Sequence, residues 1–242
     1  MPVTVKEAVR LENVTYAADG QEILKQVTGS FPEGKITTLV GPSGAGKTSL
    51  FRLINGLRKT SSGDIYVEDK HIEKYHPVEL RRKVGIALQS ATMISGSVFD
   101  NLTLPLKLQG EELRREKALE LLDLVGLKQD ILQQNIKDLS GGQRQKLSIA
   151  RTLVNRPDIL LLDEITASLD RVSQQDIEEL IVKINEKYGT TMIWITHNLQ
   201  QAKNLGDYTW VMIAGEVVET GESSLLNDPS NEQVRRFVKG ED

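Results

Sequence analysis

Residues 41–48 have the types and spacing of a loop that binds phosphate. They read Gly41-Pro42-Ser43-Gly44-Ala45-Gly46-Lys47-Thr48 and match the pattern G-x-x-x-x-G-K-[ST] in full. Glycines let successive backbone N–H groups curl around phosphate oxygens, and the positive end of a following helix adds to the attraction. Lys47 would reach the β and γ phosphates, and Thr48 would ligate Mg²⁺. The alternative is an ordinary glycine-rich turn, but the pattern arises by chance in roughly one per cent of chains of this length.

Two carboxylates follow an apolar run in the segment Ile159-Leu160-Leu161-Leu162-Asp163-Glu164. Acids at the carboxyl end of a buried parallel strand lie where ligands bind in open α/β sheets. Asp163 would complete the Mg²⁺ shell, and Glu164 would polarise an attacking water. The alternative is an acidic strand end that faces solvent. Together with the phosphate loop, which extends to Ser49, this segment predicts hydrolysis of a nucleoside triphosphate.

The pentapeptide Leu139-Ser140-Gly141-Gly142-Gln143 narrows the prediction, because the first two motifs are shared by kinases, GTPases and motors. It precedes an amphipathic stretch that contains Leu147 and Val154. A serine and two glycines that open a helix form an anion site, although a plain serine N-cap is the alternative. With these three motifs in order, the sequence resembles the ABC ATPase superfamily from about residue 9 to residue 225.

The resemblance implies roles for four further residues. Gln89, which follows the apolar segment 84–88, matches the glutamine that contacts Mg²⁺ or the attacking water. Asp170, in Ser168-Leu169-Asp170, matches a loop that crosses to the opposite active site. His197 matches the histidine that contacts the γ-phosphate, and Tyr16 matches an aromatic that stacks on adenine. Each residue alone is weak evidence for such a role. A glutamine at the surface, an aspartate in a turn, a histidine at a strand end and a tyrosine in a strand are all common without one.

The resemblance also implies partners. The pentapeptide of one chain would close on ATP held by the other, so the family arrangement implies a homodimer around two MgATP molecules, the residues from Ser140 to Gln143 facing the partner's Lys47 loop. Apolar residues between Ser90 and Phe99 suggest a docking groove for an integral membrane permease. The alternative is that Met93, Ile94, Val98 and Phe99 pack against the helical insertion.

The elements that position these residues predict an α/β fold with a P-loop NTPase core. Short strands with an Asp19-Gly20 turn predict an N-terminal antiparallel β subdomain, and later strands that alternate with helices predict a mostly parallel sheet. We expect one domain over residues 1–242. Its catalytic core and β subdomain would comprise residues 1–89 and 155–242, and residues 90–154 would form the glutamine loop and an inserted α-helical subdomain.

Local patterns predict the ends of individual helices. Leu50, Leu53, Ile54 and Leu57 are spaced as one face of a helix after the phosphate loop. Ser173 and Asp176 have the spacing of a capping box, and Gly189 is expected to end the same helix. A turn at Gly215 and a C-terminal helix are expected to complete the chain.

Composition excludes several classes of function. The 30 basic and 34 acidic residues give a formal charge of −4, so we expect no nucleic-acid partner. Cysteine is absent, which excludes disulfides and thiolate metal sites. The polar start Met1 to Lys6 lacks the apolar core of a signal peptide. We therefore expect a cytoplasmic protein, held peripherally at the inner face of the membrane by its permease.

Departures from the commonest family pattern suggest a subfamily. Ile165 and Asn198 replace the usual proline and aspartate, and the segments 162–166 and 96–102 look most like small bacterial ATPases paired with iron or metal exporters. Such proteins are often labelled phosphate importers. The expected function is metal export, with phosphate import as the alternative substrate assignment and a soluble cluster-assembly or cell-division ATPase as the alternative class.

Overall fold

The computed structural model describes residues 6–241, so Met1 to Val5 of the polar start lie outside the described residues. The strands are β1 (Glu7–Ala18), β2 (Gln21–Pro32), β3 (Ile36–Val40), β4 (Ser62–Val67), β5 (Lys70–His71), β6 (Val84–Ala87), β7 (Ile159–Asp163), β8 (Thr191–Ile195), β9 (Tyr208–Ile213) and β10 (Glu216–Glu222). The helices are α1 (Lys47–Ile54), α2 (Pro77–Lys83), α3 (Val98–Lys107), α4 (Arg115–Leu124), α5 (Gly141–Leu153), α6 (Arg171–Tyr188), α7 (Leu199–Leu205) and α8 (Glu232–Lys239).

The larger sheet has the strand order β10-β9-β3-β8-β7-β6. All its neighbours are parallel except β10, which runs antiparallel to β9. Every residue of β3, β7 and β8 is buried, as expected for near-continuous apolar strands covered on both faces. The carboxyl ends of these three strands therefore meet at one edge, and the expected mostly parallel sheet is confirmed.

The smaller sheet is antiparallel and has the order β2-β1-β4-β5. It stacks on the larger sheet through Phe31 and Trp210, whose ring centroids lie 4.2 Å apart at an interplanar angle of 20°. The Lys25 N–H also donates to the Gly215 carbonyl at 2.9 Å. The N-terminal antiparallel subdomain is therefore tied to the sheet that carries the phosphate loop.

A helical region lies between β6 and β7, as expected for the inserted subdomain. Its three helices α3, α4 and α5 share a core that contains the fully buried Leu102, Leu122 and Leu147. No strand is assigned from residue 98 to residue 153, all of which are described. The same core extends to Leu162 of β7, so the insertion packs directly on the parallel sheet.

Two local predictions differ from the structure. Helix α1 ends at Ile54, and Leu57 lies beyond it with 53% of its surface exposed. The capping box at Ser173 is wrong, because Asp170 caps α6 three residues earlier by accepting from the N–H groups of Val172 and Ser173. An aspartate is a strong N-cap and the helix begins at the first good cap.

The prediction for the other end of α6 is correct. Gly189 ends the helix with a φ of 64°. Strand β10, which follows the turn at Gly215, was not predicted, since only the C-terminal helix was expected there.

Replacing Gly29 with alanine tests the contact between the two sheets. Gly29 has a φ of 150°, and a Cβ there would lie 2.8 Å from Trp210 Cζ2. We expect Gly29→Ala to lower the free energy of unfolding by roughly 3 kcal/mol, from steric overlap and backbone strain together. Equilibrium urea unfolding measures this change.

Gly20→Ala is the matched control. Gly20 also has a positive φ, 78°, but a Cβ there would meet nothing within 4 Å. The control should lose only about 1 kcal/mol, from backbone strain alone. Equal losses in the two variants would contradict tight packing between the sheets.

Candidate active site

The phosphate loop lies between β3 and α1 and holds the side chain of Lys47 inside it. Lys47 is only 5% exposed, and its Nζ donates to the carbonyls of Gly41 at 2.7 Å and Pro42 at 2.8 Å. Burial lowers the pKa of Lys47, whereas the charges of Glu164 and Asp163 act in the opposite direction. Both hydrogen-bond acceptors are neutral carbonyls, so the loop positions a cation without an ion pair at its Nζ.

Asp163 lies behind the loop at the end of β7. Its Oδ1 accepts a hydrogen bond from Thr48 Oγ1 at 3.2 Å, and the side chain is nearly buried. Burial raises the pKa of Asp163, the hydrogen bond from Thr48 lowers it, and the charge of Glu164 raises it further. A buried carboxylate with a raised pKa beside a hydroxyl is a group that gains from a bound cation.

Thr48 and Asp163 suit a Mg²⁺ ion that shares its ligands with phosphates and water. They do not suit a metal site made of protein ligands alone. Mg²⁺ prefers hard oxygen ligands, keeps several waters and binds through one or two carboxylates together with substrate phosphates. Within residues 6–241, no group of three or more His, Cys, Asp or Glu side chains is arranged to hold a metal. A hydroxyl and one carboxylate next to a phosphate loop are the ligand set that this use of Mg²⁺ requires.

Glu164 and His197 form a hydrogen-bonded pair at the same edge of the sheet. His197 Nε2 lies 2.7 Å from Glu164 Oε1, and both side chains are partly exposed. The pair forms because β7 and β8 are neighbours, with Asp163 opposite Ile195. Glu164 has a φ of 50°, a left-handed conformation that is uncommon outside glycine. Such strain concentrates at functional sites, and here it occurs where the chain leaves β7.

An open cavity of about 720 Å³ joins the loop to this pair. It is lined by Gln21, Glu22, Ile23, Lys25, Ser43, Gly44, Ala45, Gly46, Lys47, Thr48, Ser49, Glu164, His197 and Ala214. The predicted loop residues from Ser43 to Ser49 line it. Gly41 and Pro42 lie behind them and hold Lys47.

Sequence reasoning missed the wall that the smaller sheet contributes to this cavity. Gln21, Glu22, Ile23 and Lys25 of β2 line it, and no local pattern marked them. Tyr16 does not line the cavity. It lies opposite Leu24 on the neighbouring strand and packs against the core that the two sheets share. Its role in adenine stacking stays a prediction.

Gln89 does not line the cavity either. It is exposed two residues after β6, which is the edge strand next to β7. Its role beside Mg²⁺ also stays a prediction.

The pentapeptide begins helix α5 with a complete capping box. Ser140 Oγ accepts from the Gln143 N–H at 3.2 Å, and the Gln143 side chain accepts from the Ser140 N–H at 2.8 Å. Gly142 is buried, and a Cβ there would lie 2.7 Å from Ser173 Oγ, so any larger residue would displace Ser173 where α5 approaches α6. None of the residues from Ser140 to Gln143 lines the cavity.

Asp170 lies on the same surface as the pentapeptide, at the start of α6. It accepts hydrogen bonds from the backbone of Val172 and Ser173 and from Ser173 Oγ, and these bonds lower the pKa of Asp170. Val172 beside it is 72% exposed, which is unusual for a large apolar side chain. The starts of α5 and α6 therefore form one exposed face.

Most apolar residues between Ser90 and Phe99 pack inside the protein and do not form an exposed docking groove. Val98 is fully buried, and Met93 and Phe99 pack against the helical core. Ile94 remains 40% exposed. Among residues 6–241, no helix is long and apolar enough to cross a membrane.

Comparison with known proteins agrees with this geometry. A sequence model described as ABC transporter matches residues 24–167. The ABC transporter ATP-binding protein YjkB of Bacillus subtilis (strain 168) is 41% identical over 229 residues, which cover 93% of this chain and 91% of YjkB. The phosphate import ATP-binding protein PstB of Malacoplasma penetrans (strain HF-2) is 35% identical over 96% of this chain and 85% of PstB.

A solved structure with the same fold is the ATP-binding cassette MJ0796, seen as a dimer in a post-hydrolysis state with ADP and Pi. It superposes with a TM-score of 0.78 and 30% identity, covering 89% of this chain and 98% of MJ0796. These matches confirm the resemblance drawn from the three motifs. The chain therefore belongs to the ABC transporter family, as an ATP-binding subunit that hydrolyses ATP with Mg²⁺.

Proposed function

We propose that two copies of this chain join head to tail around two ATP molecules and drive a separate membrane-spanning subunit. The observation that carries the proposal is that the cavity is open in one chain, while the start of α5, with Ser140 and Gly141 exposed, lies elsewhere on the same chain. A second copy would bring that site over the first copy's phosphate loop. The dimeric form of MJ0796 supports this arrangement.

Each side chain of the cavity has a role in this proposal. Lys47 leaves its two backbone carbonyls and binds the β and γ phosphates. Thr48 and Asp163 would hold Mg²⁺, which would supply positive charge beside the phosphate oxygens. Glu164 takes up a proton from the attacking water, and His197 keeps the Glu164 carboxylate aimed into the cavity. The 2.7 Å contact between these two side chains supports that assignment.

Three further residues act at the edges of the site in this proposal. Gln89 reaches Mg²⁺ or the attacking water when its loop moves toward the cavity. Asp170 crosses to the partner's site together with the exposed start of α6. Tyr16 stacks on the adenine ring, in line with the family position that it occupies.

Exposed apolar side chains support a membrane-bound partner. Leu57, Val78, Leu88 and Ile94 are each at least 40% exposed and come from one part of the chain, the segment from 57 to 94. Gly56 lies against Leu80 of α2, which brings the end of α1 close to this helix. We take these four side chains as the docking surface, since exposed apolar side chains occur where protein partners bind. The ATPase would thus lie at the cytoplasmic face of the membrane without spanning it.

The cargo proposed for this transporter is iron or another metal ion, exported from the cytoplasm. The segments 162–166 and 96–102 support it through their likeness to metal-export ATPases. Phosphate import is the second candidate, and the similarity to PstB over 96% of the chain favours it. A soluble ABC ATPase would lack the membrane partner altogether.

Replacing Glu164 with glutamine separates ATP binding from hydrolysis. Glu164→Gln should lower kcat by at least about 100-fold, because an amide cannot accept the proton of the attacking water. ATP binding should persist, and with MgATP the protein should accumulate as a dimer. Phosphate release and analytical ultracentrifugation measure the two effects.

Lys47→Ala is the control for this experiment. It removes the cation that binds the phosphates, so it should bind ATP at least about 100-fold more weakly and stay monomeric. Parent-like turnover in Glu164→Gln would reject the catalytic assignment. A monomeric Glu164→Gln protein with bound ATP would reject the head-to-tail dimer.

Replacing Asp163 with asparagine should stabilise the chain while it abolishes hydrolysis. The pKa of Asp163 is raised in the folded state, so this group favours folding below its unfolded pKa, and that contribution is lost as pH rises through the folded pKa. At pH 7 we expect Asp163→Asn to add about 1 kcal/mol to the free energy of unfolding. The gain should be smaller at pH 4, because protonation of Asp163 removes the cost of burying its charge. Urea unfolding without nucleotide at both pH values checks this.

Introducing a negative charge into the docking surface tests whether it binds a membrane protein. Leu57→Glu should abolish co-purification of a multispanning protein from detergent-solubilised membranes, since a carboxylate on an apolar interface is costly to bury. Leu108→Glu, at a side chain 79% exposed outside the segment from 57 to 94, is the matched control and should bind like the parent. Vesicles that contain the recovered protein then distinguish metal export from phosphate import. Recovery of no membrane protein by the parent would favour the soluble class.

A further inference from the structure

The loop between β6 and α3, residues 88–96, is held in place by side chains of other elements. No helix or strand is assigned within it. It carries Gln89 near its start, and it joins the parallel sheet to the helical region. A segment without its own regular backbone hydrogen bonds takes its position from whatever satisfies its carbonyls and N–H groups. The loop therefore moves with whichever element supplies the hydrogen-bond partners of its backbone.

Two side chains of α5 bind the loop on either side of Gln89. Gln145 is 2% exposed, and its Nε2 donates to the Leu88 carbonyl at 3.2 Å. Arg151 donates through one terminal nitrogen to the Thr92 carbonyl at 2.7 Å. The helix that begins with Ser140 therefore contacts the backbone one residue before Gln89 and three residues after it.

Arg151 also connects the loop to α3. Its other terminal nitrogen lies 3.4 Å from Asn101 Oδ1 and 3.8 Å from Met93 Sδ. Asn101 is fully buried and binds both the N–H and the carbonyl of Ile94, each at 3.0 Å. The guanidinium thus joins α3, α5 and the loop into one network.

The acceptors of Arg151 are unusual for a partly buried cation. They are a carbonyl, an amide oxygen and a sulfur, all neutral, and no ion pair found within residues 6–241 includes Arg151. Burial lowers the pKa of Arg151 because no carboxylate compensates for its desolvation. Burying a charged guanidinium for packing alone would cost desolvation energy without a compensating ion pair. Its rigid, forked set of donors instead suits binding to two elements at once.

We propose that Gln145 and Arg151 are positioning residues that clamp residues 88–96 to α5, so that Gln89 moves together with the helix that begins at Ser140. When a second copy's ATP draws Ser140 to Gln143 toward its phosphates, the same motion carries Gln89 toward the cavity of its own chain. Closure at one site then adjusts the glutamine at the other. This consequence rests on the proposed function, while the clamp itself is a property of the single chain.

Two substitutions weaken the clamp without removing bulk. Arg151→Lys keeps the charge but donates from one nitrogen, so it cannot bind Thr92 and Asn101 together. Gln145→Met keeps the shape and loses the donor to Leu88. Arg156→Lys is the matched control, because Arg156 is exposed just after the same helix and makes no hydrogen bond to the loop.

Hydrogen exchange of the nucleotide-free protein tests the clamp directly. Amides of residues 89–96 should exchange about tenfold faster in Arg151→Lys and in Gln145→Met, and should be unchanged in Arg156→Lys. Parent-like exchange in both clamp variants would overturn the clamp, as would an equal increase in the control. Should Arg151→Lys fail to fold, Gln145→Met decides the question by the same measurement.

Steady-state ATP hydrolysis tests the consequence for Gln89. Both clamp variants should lower kcat about tenfold and leave the KM for ATP within about twofold, because ATP binds to a loop that they do not touch. Faster exchange with parent-like kcat would overturn the link to Gln89. Absence of turnover in the parent would reject the proposed function, and hydrogen exchange would still decide on the clamp.

Discussion

The common register of β3, β8 and β7 is the constraint on which the whole site depends. β8 lies between the other two strands and runs parallel to both. The carboxyl ends of parallel strands meet at one edge, so the chain leaves β3 as the phosphate loop, β7 at Asp163 and Glu164, and β8 at His197. A slip of one residue would turn each side chain to the opposite face. All three strands are buried on both faces, where close packing is fitted to particular side chains, so such a slip would be costly.

The site concentrates charge where the sheet excludes water. Burial lowers the pKa of Lys47 and raises that of Asp163, so each group is less stable in its charged form than it would be in solvent. The left-handed backbone of Glu164 adds strain at the same edge. These costs are typical of a site organised for a polyanion and a metal ion, whose charges compensate both groups once bound. The apolar core of the parallel sheet supplies the stability that offsets them.

Helix α5 connects the parts of the molecule that a nucleotide would have to coordinate. It begins with the capping box of Ser140 and Gln143, approaches α6 at Gly142, and binds the loop of Gln89 through Gln145 and Arg151. A helix is stiff over this length, so displacement of its first turn moves the contacts farther along. Through these contacts, a movement of the helical region would be transmitted to the edge of the parallel sheet.

The sequence by itself determined the chemistry that is written in consecutive residues: the phosphate loop, the acids after β7, the capping serine of α5 and the alternation that predicts the fold. It placed the start of α6 wrongly, because Asp170 and Ser173 are both good caps and the helix begins at the first of them. The tertiary structure alone decided that Glu164 meets His197, that β2 walls the cavity and that Arg151 holds the loop of Gln89. These contacts join residues far apart in the chain. Strand order brings them together. Local periodicity does not encode strand order, because it shows which face of an element is buried but not which other element covers that face.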